Sequence, residues 1–196
     1  MTAFPSSPNQ YTDSTQKIFA RRSFLPLKND SLWLIKTGVV RTITFEEDGT
    51  SRTLGLWGNG DIVGKALSLS CSYQIECLTR VTTTLLPQHS WHQATEAMMR
   101  HIQHYGKLIE ILQTRQGESS LFQLLVWLSN RFGQPVEQGQ LIDLGLTHQD
   151  IADIIGLTRV TVTRMLNTLE KQGIIERLPG KSIVLHEQNP FWYYEI

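Results

Sequence analysis

The stretch that decides the fold is residues 146–187, LTHQDIADIIGLTRVTVTRMLNTLEKQGIIERLPGKSIVLHE. Its capping residues, glycines and apolar spacing predict a helix, a turn, a second helix and a two-stranded hairpin. Thr147 is placed to cap the first helix, with Asp150 three residues later as a weaker substitute for the glutamate of a capping box. Gly156 is expected to end that helix, because glycine adopts the left-handed conformation at no steric cost.

The second helix is predicted to run from Arg159 to about Gln172, capped by Thr158 and stopped by Gly173. At 100° per residue, one arc of about 100° holds the residues that must face a core. They are Val162, Met165, Leu166 and Leu169. The opposite arc holds Val160, Arg164, Asn167 and Lys171, flanked by Thr163 and Thr168. Such a face fits the major groove of DNA, where Arg reads guanine and Asn reads adenine.

Two short strands at residues 174–177 and 182–186 enclose the turn at residues 178–181, and this hairpin is predicted to be a wing. Lys181 and Arg177 are expected to reach phosphate. Residues 118–196 contain six Lys and Arg against nine Asp and Glu, which counts against DNA binding. The basic residues nevertheless cluster on the proposed surface, and the distribution of charge matters more than its sum. The alternative is a helical hairpin whose charged face is only solvated.

Residues 17–89 are interpreted as an all-β module. The β-prone runs are residues 17–25, 31–36, 39–45, 52–57 and 73–86. Turn signals, notably Asp48-Gly49 and Gly58-Asn59-Gly60-Asp61, separate them. Alternating apolar residues within the runs are typical of half-buried antiparallel strands. The polar residues 1–16 are expected to form a flexible N-terminus.

A long helix is predicted from its N-cap, Ser90, to about Arg115, within a dimerisation segment at residues 90–117. Apolar residues recur there every seven positions, which indicates a coiled-coil seam between two chains. The predicted seam is Trp91, Ala94, Met98, Ile102, Tyr105, Leu108 and Leu112. The alternative is one helix lying on the β module, which needs only a broad apolar stripe.

Residues 118–131 are apolar enough to predict a buried helix, followed by a loop at 133–145 with a short strand at 140–144. We place the domain boundary near residues 116–119, so that 118–196 form the C-terminal domain. The predicted fold class is α+β: an N-terminal β module, a long helix and a C-terminal winged helix-turn-helix.

The composition narrows the class of protein. The chain has 196 residues, with 18 Lys and Arg against 18 Asp and Glu, and this balance argues against a polybasic tail or an acidic activation segment. It contains neither a run long enough to span a bilayer nor a signal-peptide pattern, so we expect a cytoplasmic protein. Two cysteines, Cys71 and Cys77, are too few for a disulfide framework or a zinc site. No catalytic motif is present, and we predict no enzyme activity, no metal and no cofactor.

Residues 146–187 closely resemble the winged helix-turn-helix of the Crp/Fnr family of bacterial transcription regulators, and the order of domains matches that family from about residue 17. The resemblance implies a β-roll of the cyclic-nucleotide-binding type (a double-stranded β-helix), a homodimer and a palindromic site in double-stranded DNA. It leaves RNA polymerase as a candidate partner. By resemblance, three residues fall on base-reading positions: Arg159, Val160 and Arg164. Four fall on positions that commonly hold phosphate: Thr147, Gln149, Thr158 and Thr161. With Thr163, Asn167, Lys171 and Lys181, these form the candidate DNA-binding set.

Many family members carry Glu at the middle reading position, where it accepts a hydrogen bond from cytosine. Val160 cannot do so and offers only apolar contact to a thymine methyl. The run TRVTVTR at residues 158–164 is similar to the recognition helix of cyanobacterial nitrogen-control regulators of the NtcA type, which read GTA and TAC half-sites. A GTA/TAC-like palindrome is therefore predicted, read by two helices about 34 Å apart.

The effector site is less clearly defined. Family members that bind cyclic nucleotides carry a Gly-Glu pair for the ribose and an Arg for the phosphate. Here Lys65 follows Gly64 in place of the Glu, and residues 70–78 contain no Arg. We predict no binding of cyclic AMP or cyclic GMP. Lys65 is either a solvated loop residue or a weak site, with Gly64, for a small 2-oxo acid. Binding of a haem group through histidines is an alternative that the sequence leaves open, whereas an iron-sulfur cluster is not expected. The alternative function is a ligand-binding or protein-interaction module whose winged helix is an assembly surface.

Overall fold

The structure, a computed structural model, describes residues 16–186. The flexible N-terminus expected at residues 1–16 lies outside the described residues except for Gln16, as does the C-terminal domain beyond residue 186. None of the helices within 16–186 is both long and apolar enough to cross a membrane.

The N-terminal part forms two antiparallel sheets. Its strands are β1 (Gln16–Phe19), β2 (Ser31–Thr37), β3 (Val40–Phe45), β4 (Ser51–Trp57), β5 (Ile62–Val63), β6 (Gln74–Cys77) and β7 (Val81–Pro87). One sheet has the order β1-β7-β2-β5 and the other β4-β3-β6. Side chains from both, among them Trp33, Val40 and Trp57, share one buried cluster. The expected β module is therefore present. The run expected as one strand at 73–86 is two strands in different sheets, because the chain leaves one sheet after β6 and enters the other at β7.

The connecting helix differs from its prediction. Pro87 is followed by a 3-10 helix, Gln88–Ala94, and the α-helix α1 is Thr95–Leu112. Ser90 is not an N-cap but lies inside the 3-10 helix. Trp91 and Ala94 therefore precede α1 and cannot belong to one continuous heptad with it.

Much of the predicted dimer seam is buried inside its own chain. Ala94 and Ala97 pack with Leu34 and Ile62 of the β module, with Trp91 and Met98 half-buried beside them. Leu108 lies in the core of the C-terminal domain. Tyr105 meets the Trp57 ring edge-on at 5.1 Å. The seam prediction was thus wrong for these residues, because one apolar side of α1 covers the chain's own core.

His101 shows how closely α1 lies on β4. Its ring stacks on Trp57 with 3.7 Å between centroids. Burial lowers the pKa of His101 to about 4, so the ring is neutral at physiological pH.

The opposite side of α1 is apolar and exposed. It carries Met99, Ile102, Ile109 and Leu112, which are 56%, 65%, 51% and 43% exposed. Gly106 lies between them with open space where a side chain would be. The positions 99, 102, 106 and 109 are spaced three, four and three residues apart, which is the spacing of a coiled-coil seam. Ile102 and Leu112 of the predicted seam belong to this exposed face.

The C-terminal part is built from α2 (Gly117–Phe132), β8 (Gln134–Val136), β9 (Gly139–Ile142), α3 (His148–Ile155), α4 (Arg159–Lys171), β10 (Ile175–Leu178) and β11 (Ser182–His186). Its strands form one sheet in the order β10-β11-β9-β8. The three helices share a core that includes Leu124, Ile154 and Leu166. The predicted helix, turn, helix and wing are all present, with the strand of residues 140–144 at Gly139–Ile142 and a partner strand, β8, that the sequence did not predict.

A charge cluster joins the two parts of the chain. Arg22 Nη1 donates to Glu76 Oε1 at 3.0 Å, and its Nη2 donates to Asp150 Oδ2 at 2.9 Å. Arg41 Nε donates to Glu76 Oε2 at 2.6 Å. Arg41 Nη1 lies 2.8 Å from Asp150 Oδ1, an ion pair too bent for a hydrogen bond. Two arginines of the β module therefore hold a carboxylate of α3, and Glu76 balances their charge.

A second contact lies at the predicted turn Gly58-Asn59-Gly60-Asp61. The buried carboxylate of Asp61 accepts hydrogen bonds from the Gly58 backbone N–H at 2.8 Å and from Arg131 of α2. Arg131 also donates to the Leu56 carbonyl at 3.0 Å. Arg100 of α1 donates to the Gly60 carbonyl at 2.8 Å. The turn thus fixes both long helices to the β module.

Replacing Asp150 by Asn tests the first of these clusters. We expect the free energy of unfolding at pH 7 to fall by about 2–4 kcal/mol, because two arginines lose a buried partner. Urea denaturation measures it. The matched control is Asp153→Asn, whose carboxylate accepts hydrogen bonds from Gln149 and Ser51 without an ion pair, and which should cost about 1 kcal/mol or less. Equal losses in the two variants would contradict the assignment.

The same carboxylate predicts a pH dependence. Burial acts to raise the pKa of Asp150, but hydrogen bonds from Arg22 and Thr147 and the charge of Arg41 outweigh it and lower the pKa below its ordinary 3.8. The stability that Asp150 contributes is complete above about pH 4 and is lost as the pH falls through its folded-state value. The stability difference between the wild type and Asp150→Asn should therefore shrink in acid.

Candidate nucleic-acid interface

The first helix of the motif, α3, begins with a complete capping box. The Thr147 hydroxyl accepts from the Asp150 backbone N–H at 2.9 Å, and the Asp150 carboxylate accepts from the Thr147 backbone N–H at 2.8 Å. The helix ends at Gly156, whose φ of 69° is left-handed. Asp150 thus both caps α3 and pairs with the β module, a double role that the sequence alone did not reveal.

The second helix, α4, is the one that the sequence predicted to be the recognition helix. Its N-cap is Thr158, whose hydroxyl accepts from the Thr161 backbone N–H at 3.2 Å. Val162, Leu166 and Leu169 are buried, and Met165 is half-buried against the same core. The outward residues are Arg159, Val160, Arg164, Asn167 and Lys171, all exposed. Val160 is 79% exposed, which leaves its methyl groups free for an apolar contact.

The outward face of α4 forms a shallow groove of about 560 Å³, lined by Arg159, Val160, Thr163, Arg164, Asn167, Thr168 and Lys171. A neighbouring cleft of about 740 Å³ lies between α3, the start of α4 and the wing. Thr147, Gln149 and Lys181 line this cleft, and Arg159 lines both. Nine of the eleven predicted DNA-binding residues therefore line these two adjoining concavities, which share Arg159. Thr158 and Thr161 line neither, and their hydroxyl oxygens lie 2.8 Å apart at the start of α4.

Several side chains of this surface already make hydrogen bonds within the chain, among them Gln149, Thr163 and His148. The Gln149 amide donates to Asp153 Oδ1 at 2.7 Å. The Thr163 hydroxyl donates to the Arg159 carbonyl at 2.9 Å and lies 2.7 Å from His148 Nδ1. His148 was not among the predicted residues. Burial and the charges of Arg177 and Arg159 lower its pKa, which favours the neutral ring.

The wing carries its basic residue at the turn. Gly180 and Lys181 have φ of 85° and 70°, both left-handed, and Lys181 is exposed. Arg177 lines the same cleft, and its guanidinium is held by Glu170 and Asn167 of α4, a pair of contacts that the sequence did not predict.

The candidate effector residues lie after β5. Lys65 Nζ donates to the backbone carbonyl of Ser68 at 3.3 Å and to that of Ser70. A Cβ added at Gly64 would lie 2.8 Å from Leu32 Cδ2 and 3.0 Å from the Ser31 carbonyl oxygen. Gly64 therefore lets this segment lie close to β2, and the Lys65 ammonium is bound by its own loop. Among residues 16–186, no group of three or more His, Cys, Asp or Glu side chains is placed to hold a metal ion.

Comparison with known proteins agrees with this geometry. Residues 120–189 match the Crp-like helix-turn-helix domain. The chain is 37% identical over 174 residues to the regulatory protein CysR of Synechococcus elongatus, covering 87% of this chain and 84% of that protein. It is 44% identical over 80 residues to the global nitrogen regulator of a Nostoc species, covering 41% of this chain and 35% of that protein.

Solved structures show the same fold. A CRP-family transcriptional regulator from Thermus thermophilus superimposes with a TM-score of 0.76 at 23% identity, covering 87% of this chain and 92% of that one. FixK2 from Bradyrhizobium japonicum superimposes with a TM-score of 0.75 at 20% identity, covering 92% of this chain and 95% of that one. Since the relationship to CysR spans most of both proteins and the recognition motif matches in detail, this chain belongs to the Crp/Fnr family of transcription regulators.

Proposed function

We propose that the protein binds a palindromic, GTA/TAC-like DNA site as a homodimer and regulates transcription without cyclic-nucleotide control. The observation that carries the proposal is the outward face of α4, where Arg159, Val160 and Arg164 lie exposed between a capped helix start and the wing. Arginine donors read guanine, and an exposed valine suits a thymine methyl. The similarity of residues 158–164 to NtcA-type recognition helices supports the choice of half-site.

Arg164 tests the base-reading role. The Arg164→Ala variant should lose about 1–3 kcal/mol of binding free energy on the preferred palindrome and much less on unrelated duplex. The matched control is Lys171→Ala, at the far end of the same face. It should weaken binding to all sequences alike and reduce the salt slope by about one. Selection from randomised duplexes, followed by fluorescence anisotropy, measures both. Equal losses for Arg164→Ala on every sequence would reduce its role to phosphate contact.

The alternative function is a winged helix that serves as a protein-assembly surface. The salt dependence of binding distinguishes it from DNA binding. Neutralising several phosphates makes DNA affinity fall steeply with ionic strength, whereas a protein partner imposes no such dependence. The wild type should therefore lose most of its affinity for duplex between low and moderate salt.

The homodimer is supported by the exposed apolar face of α1. Met99, Ile102 and Ile109 form an exposed apolar stripe around Gly106, with the spacing of a helix that packs against a second helix. Gly106 has no side chain, so two helices can approach closely at this position. In this proposal the partner is a second copy, whose α1 offers the same stripe about a two-fold axis.

Charging this face should separate the dimer. Sedimentation of the wild type should give twice the chain mass of 22.4 kDa, and the double variant Ile102→Asp/Ile109→Asp should give one chain mass. The control is Lys107→Asp, which places the same residue on an exposed position away from the stripe. A dimer that survives in the double variant would place the interface elsewhere.

The absence of cyclic-nucleotide control is supported by Lys65. A cationic ammonium replaces the ribose-binding carboxylate and is already satisfied by the Ser68 and Ser70 carbonyls. These contacts also weigh against a 2-oxo acid at Lys65. Titration calorimetry with cyclic AMP and cyclic GMP should show no binding heat up to millimolar ligand, and a dissociation constant in the micromolar range would refute this part of the proposal.

A further inference from the structure

Arg177, on the first strand of the wing, donates hydrogen bonds to two side chains of α4, Glu170 and Asn167. Its Nε and Nη2 donate to Glu170 Oε2 at 3.0 and 2.5 Å, and its backbone N–H donates to Glu170 Oε1 at 3.2 Å. The same Nη2 donates to Asn167 Oδ1 at 2.8 Å. Asn167 and Glu170 lie one turn apart on α4, so one guanidinium spans both.

This contact fixes which way the Asn167 amide points. A guanidinium has hydrogen-bond donors and no acceptor, so the amide atom that faces it must be the oxygen. Oδ1 and Nδ2 lie on opposite sides of the amide carbon. With Oδ1 held at the wing, the two N–H donors of this exposed side chain are directed away from Arg177.

The contact is maintained because Glu170 holds Arg177 in place. Hydrogen bonds from Arg177 lower the pKa of Glu170, and those to Glu170 raise the pKa of Arg177, so both remain ionised across the physiological range. Ionised groups make stronger hydrogen bonds than neutral ones, and a planar fork gives them a defined direction. The amide orientation is therefore set before DNA arrives.

Reading adenine requires both ends of an asparagine amide. Nδ2 must donate to N7 while Oδ1 accepts from the N6 amino group. In this chain Oδ1 already accepts from Arg177. Its second lone pair lies beside a cationic guanidinium, which repels the positive hydrogens of a base amino group.

We infer that Asn167 contacts DNA as a hydrogen-bond donor positioned by Arg177 and does not read adenine. Its target is an acceptor: a phosphate oxygen, or on a base edge O6 of guanine, O4 of thymine or N7 of either purine, and a contact to N7 alone does not select adenine over guanine. The inference rests on the proposed function, since it assumes that the outward face of α4 meets DNA. It also makes Arg177 a positioning residue of the wing.

The test is a set of variants assayed on a duplex library randomised in both half-sites. The wild type should show no enrichment of adenine over guanine that depends on residue 167. Asn167→Ala should lower affinity about three- to ten-fold, the loss of one or two hydrogen bonds. Asn167→Asp keeps an oxygen facing Arg177 but replaces both donors by a charged acceptor, and it should lower affinity more than Asn167→Ala does.

The positioning role is tested by a double-mutant cycle. Arg177→Met should weaken binding about three-fold when Asn167 is present and by less than two-fold in an Asn167→Ala background, because the two side chains act together. Arg177→Lys keeps the charge without the fork and should behave like Arg177→Met. Circular dichroism and the urea midpoint show that each variant is folded.

The outcomes separate the possible targets. A loss in Asn167→Ala that is equal on all sequences assigns the donor to phosphate, and a loss confined to sites with guanine, with thymine or with either purine at one position assigns it to a base edge. Adenine enriched over guanine by the wild type and lost in Asn167→Ala would overturn the inference, as would additive losses in the cycle. If Arg164→Ala loses specificity while Asn167 reads adenine, the proposed function stands and only this inference fails. If the wild type binds no duplex, both fail.

Discussion

The carboxylate of Asp150 is the interaction on which the rest of the structure depends. One side chain closes the capping box of α3 and pairs with Arg22 and Arg41 of the β module. A buried ion pair costs desolvation and repays it only when its geometry is good, so its main effect here is to specify one relative position of the two domains. Because α3 packs against α4 in one core, Asp150 also connects the β module to the helix that carries Arg164. The local cap and the long-range docking therefore act through the same atoms.

The chain divides its apolar surface between its own core and one exposed face of α1. One side of α1 covers Trp57 and the C-terminal core, and the other leaves Ile102 and Ile109 in solvent. In α4 the division is between a buried apolar side and a basic, polar side. A helix with one buried side and one functional side is fixed in rotation by its burial. The direction in which Arg164 points is thus a consequence of where Leu166 and Leu169 pack.

Local signals predicted the winged helix well, because caps and left-handed glycines act within a few residues. Thr147, Gly156 and Thr158 lie at the helix ends where the sequence put them. The dimer seam was predicted less well. The predicted seam combined Trp91, which precedes α1, with Met98 and Tyr105 on its buried side and Ile102 and Leu112 on its exposed side. A periodic pattern does not say which apolar side packs against the chain's own core. The contacts of Asp150 and Arg177 join distant elements, and no spacing in the sequence encodes them. The sequence offers one hint: Glu170 is an acidic residue among the cations of a predicted DNA-binding helix, where a basic partner such as Arg177 is needed to pair with it.

The charge balance of the C-terminal domain follows from the same contacts. The domain is acidic by count, yet three of its acidic side chains near α3 and α4 are used inside the fold: Asp150 by Arg22 and Arg41, Asp153 by Ser51 and Gln149, and Glu170 by Arg177. Ion pairing and hydrogen bonding reduce the field that these carboxylates project toward α4, whereas Arg159, Arg164, Lys171 and Lys181 remain exposed. A polyanion approaching this surface meets mainly the exposed cations, since a paired charge acts over a shorter range than a free one. The net charge of this domain is therefore a poor guide to DNA binding, because carboxylates such as Asp150 and Glu170 are paired within the fold. By pairing with Glu170, Arg177 of the wing also reduces the repulsion between that carboxylate and the DNA backbone.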